Sequence, residues 1–248
     1  MKDLQHQKQD NIQESFNSTL IDFDLQNVGI DIAELTIDHV FNNDLIKEIP
    51  VVSTIVGLSK VGINIHDRLF LKKIISFLSQ LKDVSVDKRR KMIDDIDSSK
   101  KYRLKVGEKL LYIIDTCEDY EISELVSIVF VAYIDEKITY DEFLKTSSVL
   151  KKINKSDFDW FVKERTNHYF DLADIGDLVS TGLFELYYEQ ISVSVEDETD
   201  HKVLMERGNK YSTDVDGGVS VSLSRAGEVI LEVFCPSYKK RKSMNINL

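Results

Sequence analysis

The chain has 248 residues, 42% of them hydrophobic, with 10 Gly, 2 Pro and a formal net charge of -11. That apolar content is enough for a substantial core, and so few helix-breaking residues point to an α-rich protein. Two distant cysteines, Cys117 and Cys235, exclude a disulfide framework and a cysteine metal site. The opening MKDLQHQKQDNIQESFNSTL has no apolar segment of the secretory kind, so a cytoplasmic location is expected, with membrane association as the alternative.

Residues 1–28 are polar and without clear periodicity, and are expected to form a flexible arm or a loosely docked leader. A helical domain is expected over 29–166. In IAELTIDHVFNNDLIKEI the residues Ile32, Leu35, Ile37, Val40, Phe41 and Leu45 recur at helical spacing. The run from Ile49 to Ile65 is apolar, but Pro50 and Lys60 interrupt it. A membrane-spanning helix needs about 20 apolar residues, so a buried core element is expected instead, with peripheral insertion as the competing reading. Ser53 and Gly57, one turn apart, would permit close helix contact.

HDRLFLKKIISFLSQLK predicts an amphipathic helix with Phe70, Ile74, Phe77, Leu78 and Leu81 on one stripe. SVDKRRKMIDDID predicts a short exposed helix with Ser85 near its start. Two helices follow in KYRLKVGEKLLYIIDTCE and YEISELVSIVFVAYID, the second apolar on nearly every side and so expected at the centre of the core. Thr139 and Glu142 have the spacing of a capping box, and Ser156 is the expected cap of the next helix.

The composition then changes. A short helix ending near Gly182, a strand in LYYEQISVSVED, turn chemistry at Asp216-Gly217-Gly218, a strand in GVSVSLS and a final helix capped by Ser224 predict a small α+β module over 167–238. The order is that of a winged-helix end. Residues 239–248 form a basic tail.

No catalytic constellation emerges. GLSKVG has Val61 where the G-x-S-x-G turn needs glycine. YIDEKITYDEF, set in calcium-loop register, places Val131 and Tyr133 at ligand positions and Glu136 at the turn glycine. His66-Asp67 lacks companion ligands, and the other histidines show no paired metal spacing. Cys117 with His168 as base is outweighed by the reading of Cys117 as a small core residue. No glycine loop for phosphate is present. No catalytic residue, metal site or cofactor is expected.

Charge is the remaining signal. Residues 45–105 hold 14 basic and 7 acidic side chains, whereas 166–238 hold 4 basic and 14 acidic. The acidic module would repel a nucleic-acid duplex. The basic stretch Arg68 to Lys105 reads as a charged contact face. Its candidate partner or lipid contacts are Arg68, Lys72, Lys73, Lys88, Arg89, Arg90 and Lys91, with Lys239, Lys240, Arg241 and Lys242 as candidate tail contacts.

The residues IPVVSTIVGLSKVGINIHDRLFLKKIISFL and AYIDEKITYDEFLK resemble uncharacterised bacterial proteins of prophage, mobile-element and anti-phage settings. LVSTGLFEL through YSTDVDGGVSVSLSRAGEVIL resembles the closing half of a winged-helix domain. These resemblances imply a bacterial protein of phage defence and carry over no catalytic residue. The expected function is non-enzymatic, through a protein partner or a homo-oligomer. The alternatives are a membrane-acting effector that exposes 49–65 and a DNA-binding regulator using the carboxy-terminal module.

Overall fold

The computed structural model describes residues 2–26, 40, 43–58, 65–164, 172–188, 192–195, 213–216 and 218–235. In chain order these form α1 (Lys2–Ile21), α2 (Asp44–Lys47), α3 (Pro50–Leu58), α4 (Ile65–Ser79), α5 (Val86–Asp97), α6 (Val106–Thr116), α7 (Tyr120–Ile134), α8 (Tyr140–Leu150), α9 (Lys155–Glu164) and α10 (Leu172–Ile175). A 3₁₀ turn (Gly176–Thr181), strands β1 (Phe184–Tyr188), β2 (Ser192–Val195), β3 (Thr213–Asp216) and β4 (Val219–Leu223), and α11 (Arg225–Phe234) complete them. The protein is mainly α, a multi-helix body with a small α+β part near its carboxy end.

Helix α7 is the centre of the body, as its all-round apolarity predicts: of its 15 residues, 10 are buried. It packs most closely on α4. Small side chains make that approach feasible, because Ser76, Ser79, Ser123 and Ser127 are all buried in the two helices. The Ser123 hydroxyl donates to Lys73 O (2.9 Å) and that of Ser127 to Phe77 O (2.6 Å). Both partners advance by one turn together, so the helices run in the same direction. In return, the Ser76 hydroxyl donates to Tyr120 O (2.9 Å). Ring contacts then tie four helices together: Phe16 of α1 meets Phe77 of α4, Phe77 meets Phe130 of α7, and Phe130 meets Phe143 of α8.

The expected flexible arm over 1–28 is corrected. Residues Lys2–Ile21 form a helix, and Phe16, Thr19, Leu20 and Leu25 are buried. The signal is a narrow stripe, Ile12, Phe16, Thr19 and Leu20, diluted by glutamines and charges on every other side. Thr19 also anchors α3: the Val51 N–H, in the first turn of α3 and without a partner inside it, donates to Thr19 Oγ1 (3.2 Å). Val51, Val52 and Ile55 are buried, which places the first half of the Ile49–Ile65 run in the core. Positions 59–64 lie outside the described residues. Ser53 and Gly57 do not serve as a contact stripe. Both are exposed, and none of the described residues approaches within 4 Å of the point a Cβ on Gly57 would occupy. Most of the helical pattern read from Ile32 to Leu45 also lies outside the described residues. Within it Val40 is buried, but Leu45 faces outward and Ile46 faces in.

The caps follow the sequence with one exception. Ser85, Thr139 and Ser224 accept amide bonds at the starts of α5, α8 and α11, and Thr139 with Glu142 closes a full capping box. For α9 the cap is Asn154, not Ser156. Its Oδ1 accepts from Asp157 N (2.8 Å), because the helix begins one residue before Ser156.

Beyond the 3₁₀ turn the chain passes Gly182 at φ +90°, a left-handed conformation that favours glycine. The strands β1 and β4 pair antiparallel from Phe184↔Leu223 to Tyr188↔Val219. Further along the same segments β2 pairs with β3, from Ser192↔Asp216 to Val195↔Thr213. Thr213–Asp216 is therefore a strand, where the glycine pair after it had suggested only a turn. Helix α11 returns to the body against α7, α8 and α9. Arg225 at its start reaches Glu142 (2.7 Å), Glu228 (2.9 Å) and Glu232 (3.1 Å). The capping-box glutamate thus also holds the carboxy-terminal helix. Bonds from the Thr139 backbone and from Arg225 together keep the Glu142 carboxyl below its usual range. Gly227 is required by contact: a Cβ there would sit 2.5 Å from Leu183 O.

Candidate functional site

Three helix faces meet in a groove of about 390 Å³. Helix α1 contributes Gln9, Ile12 and Gln13, and α4 contributes His66, Asp67 and Phe70. Helix α6 contributes Glu108, Leu111, Tyr112 and Asp115, and Leu104 precedes it. Each set has the three- and four-residue spacing of a single helical face. The floor is apolar, made by Ile12, Phe70 and Leu111, all partly buried against the core. The rim carries three carboxylates, Asp67, Glu108 and Asp115, and His66 Nε2 lies 3.9 Å from Asp115 Oδ1.

The apolar surface does not stop at the groove. Tyr112 is 56% exposed and Leu104 is exposed beside it. Along α4, Ile65 (78%) and Leu69 (55%) continue the surface toward a smaller pocket of about 130 Å³ bounded by Lys72, Lys73, Glu118, Asp119 and Tyr120. The arrangement suits the seating of an amphipathic segment.

The basic residues singled out from sequence have mostly been used inside the fold. Arg89, expected on a contact face, is 1% exposed, and this is a correction. Its guanidinium donates to Thr19 O (3.1 Å), Leu20 O (2.7 Å), Phe23 O (2.7 Å) and Val84 O (3.3 Å). The neighbouring Arg90 donates to Ile21 O (3.2 Å) and Asp22 Oδ1 (2.9 Å). Since Ser18 O already receives Asp22 N, every carbonyl in the last turn of α1 has a donor. Burial pushes the Arg89 pKa down from its ordinary value, and the nearby Asp24 opposes that.

Lys88 reaches Asp135 (2.6 Å), which Lys137 also holds (2.7 Å). These two amines, Lys137 first, keep that carboxyl below its usual range. Lys73 donates to Asp115 O (3.0 Å) and Cys117 O, closing the end of α6. Lys72 lies over the Tyr120 ring at 3.6 Å. Arg68 and Lys91 are exposed, and neither forms an ion pair among the described residues. Lys239, Lys240, Arg241 and Lys242 lie outside the described residues.

Cys117 is buried, and burial pushes its thiol up to about 12 despite Lys73 and Lys151 nearby. A thiol so protonated is a poor nucleophile. His168 lies outside the described residues. Among the described residues no three His, Cys, Asp or Glu side chains converge as metal ligands would, and no helix is long and apolar enough to cross a membrane.

The groove is not apparent from the motifs and charge pattern of the sequence. The available signal was α6, which carries Leu111 and Tyr112 in addition to the Leu110, Ile113 and Ile114 that its core face uses. A helix more apolar than one buried face requires has a second face to account for. No family model, no curated protein and no solved structure matches the chain.

Proposed function

We propose that this is a protein–protein interaction protein without enzymatic activity, and that its docking site is the groove between α1, α4 and α6. The occupant is a basic amphipathic helix of a protein partner. The observation that carries this reading is the apolar floor of the groove, extended by exposed Ile65, Leu69, Leu104 and Tyr112 and rimmed by Asp67, Glu108 and Asp115. Apolar side chains of a helix at i, i+3, i+4 and i+7 would fill the floor, and its flanking Lys or Arg would meet the carboxylates. In this reading the α+β module, whose helix–hairpin–helix order resembles a winged-helix end, is an interaction element. Its acidic excess sets it against a DNA duplex.

Selection from a displayed library of amphipathic helices, with the polar face randomised, tests the proposal. Enrichment of Lys and Arg beside the apolar stripe is expected. The selected peptide should bind less tightly as salt rises, and should lose affinity for Tyr112→Asp and for the double variant Glu108→Lys, Asp115→Lys. Enrichment of acidic helices, or equal binding to Tyr112→Asp, would overturn it. Lipid contact through Ile65, Leu69 and Arg68 is the runner-up, and the three carboxylates disfavour it against anionic headgroups. Flotation with phosphatidylserine vesicles that survives the two carboxylate-to-lysine changes unaltered or strengthened, together with no peptide enrichment, would favour the lipid reading.

A further inference from the structure

The β1–β4 ribbon is anchored at one end, where β1 meets the 3₁₀ turn and β4 meets α10 and α11. Its base is fixed, with Phe184 buried and in edge contact with the Phe161 ring (5.8 Å). Among the described residues, the far end of β1–β4 is exposed on both faces. Tyr187 and Tyr188, which as neighbours in a strand point to opposite sides, are 53% and 75% exposed, and Val219 opposite Tyr188 is exposed too. A two-stranded ribbon in water is marginally stable, and a third or fourth strand stabilises it.

The phase of the ladder shows which backbone groups are unused. Ser224 N donates to Leu183 O (2.9 Å), so hydrogen-bonded pairing recurs at Glu185↔Ser222 and Tyr187↔Ser220. The N–H and C=O of Leu186 and Tyr188 therefore point away from β4, along the outer edge of β1. Among the described residues neither makes a backbone bond outside the ladder. The edge is lightly guarded: FELYY contains no lysine and no proline, and Glu185 is its one charge.

We propose that β1 pairs antiparallel with β1 of a second copy of this chain, centred on Leu186, to give a four-stranded sheet β4-β1-β1-β4 across a twofold axis. The strand is self-complementary in this register. Leu186 meets Leu186 of the second copy as a hydrogen-bonded pair through the outward-pointing groups of both. Glu185 then faces Tyr187 of the second copy in the closer, non-hydrogen-bonded pair. No like charges meet. The contact a Tyr187 hydroxyl makes with a Glu185 carboxylate inside one strand (3.0 Å) shows that the two groups suit each other. Such pairing leaves the groove untouched and would present two grooves in one particle, raising avidity for a bivalent partner.

Sedimentation equilibrium of the full chain tests this. The wild type is expected to be a reversible dimer. Leu186→Lys or Leu186→Glu places like charges opposite each other on the axis and should weaken dimerisation by more than about tenfold. An equimolar mixture of the two variants should restore a dimer, which a folding defect would not do. Leu186→Pro should also give a monomer with β1–β4 intact, because the amide it removes faces outward. A wild type that stays monomeric at every concentration, a dimer indifferent to all three changes, or failure of the mixture to reassociate would each overturn the proposal.

Discussion

Helices α1 and α4 are both held through backbone carbonyls that receive donors from a neighbouring helix, but the donors differ in kind. At α1 the donors are the guanidinium groups of Arg89 and Arg90, and they act at the helix end. At α4 they are the neutral hydroxyls of Ser123, acting mid-helix, and of Ser127, acting in the last turn. The difference follows from what each site must satisfy. The end of α1 presents several partnerless carbonyls together, at the negative pole of the helix dipole, and a planar cation with donors on several sides meets them at once. In the α4–α7 seam the backbone is largely self-satisfied, so the hydroxyl's advantage is its size. It bonds a carbonyl and still lets two helices approach closely. A charge there would meet a large desolvation cost with too few acceptors to offset it.

The largest effect should come from Arg89→Met, which keeps the bulk of the stem and leaves Thr19 O, Leu20 O and Val84 O buried, and Phe23 O partly buried, without the arginine donor. A loss of about 3 kcal/mol is expected, since each unsatisfied buried carbonyl costs roughly 1–3 kcal/mol and part is recovered by no longer burying a cation. The loss should be local first. Hydrogen exchange should accelerate in Lys2–Ile21 and in α3, which hangs from Thr19, before it accelerates in α7. Arg89→Lys keeps the charge but not the fork, and should fall between the two. Protection of α1 unchanged in Arg89→Met would show that the ring contact of Phe16 with Phe77, not the arginine, holds this helix.

A smaller effect separates the two serines. Ser127 donates to Phe77 O, which lies in the last turn of α4, where carbonyls have no partner within the helix. Ser123 donates to Lys73 O, which lies mid-helix. Ser127→Ala should therefore cost about 1–2 kcal/mol in chemical denaturation, and Ser123→Ala roughly 0.5 kcal/mol or less. Equal costs would mean that the serines act by their size and not by their bonds.

The same contrast explains what could be read from the sequence. Thr139 and Glu142 announce a capping box because both partners sit in one turn. That Glu142 also receives Arg225 could not be read, because the two are 83 residues apart in the chain. The inward face of α5 was in principle legible. Val86, Arg89 and Ile93 recur at helical spacing, which puts Arg89 with the apolar residues, but a run of four basic residues invites reading by charge instead of by phase. Helix α1 was hidden by its composition, since one narrow stripe suffices when a partner supplies the donors at its end. The groove was hidden for another reason: its three walls come from segments far apart in the chain, and only packing brings Ile12, Phe70 and Leu111 to one floor.

A third hydroxyl in this core bonds nothing among the described residues, and it gives the smallest expected effect. Tyr140 is buried between the rings of Tyr102 (4.9 Å), Tyr133 (5.3 Å) and Phe143 (5.7 Å), and among the described residues its hydroxyl has no hydrogen-bond partner. Burial, with Tyr133 and Asp97 nearby, pushes its pKa above the ordinary tyrosine value. Where Ser127 gains by its hydroxyl, Tyr140 carries one that meets no protein partner among the described residues. Tyr140→Phe leaves all three ring contacts in place and removes only that oxygen. Stability should stay the same or rise by up to about 1 kcal/mol. A loss as large as that for Ser127→Ala would mean that an ordered water reaches the Tyr140 hydroxyl and ties it to the carboxylates at the end of α5.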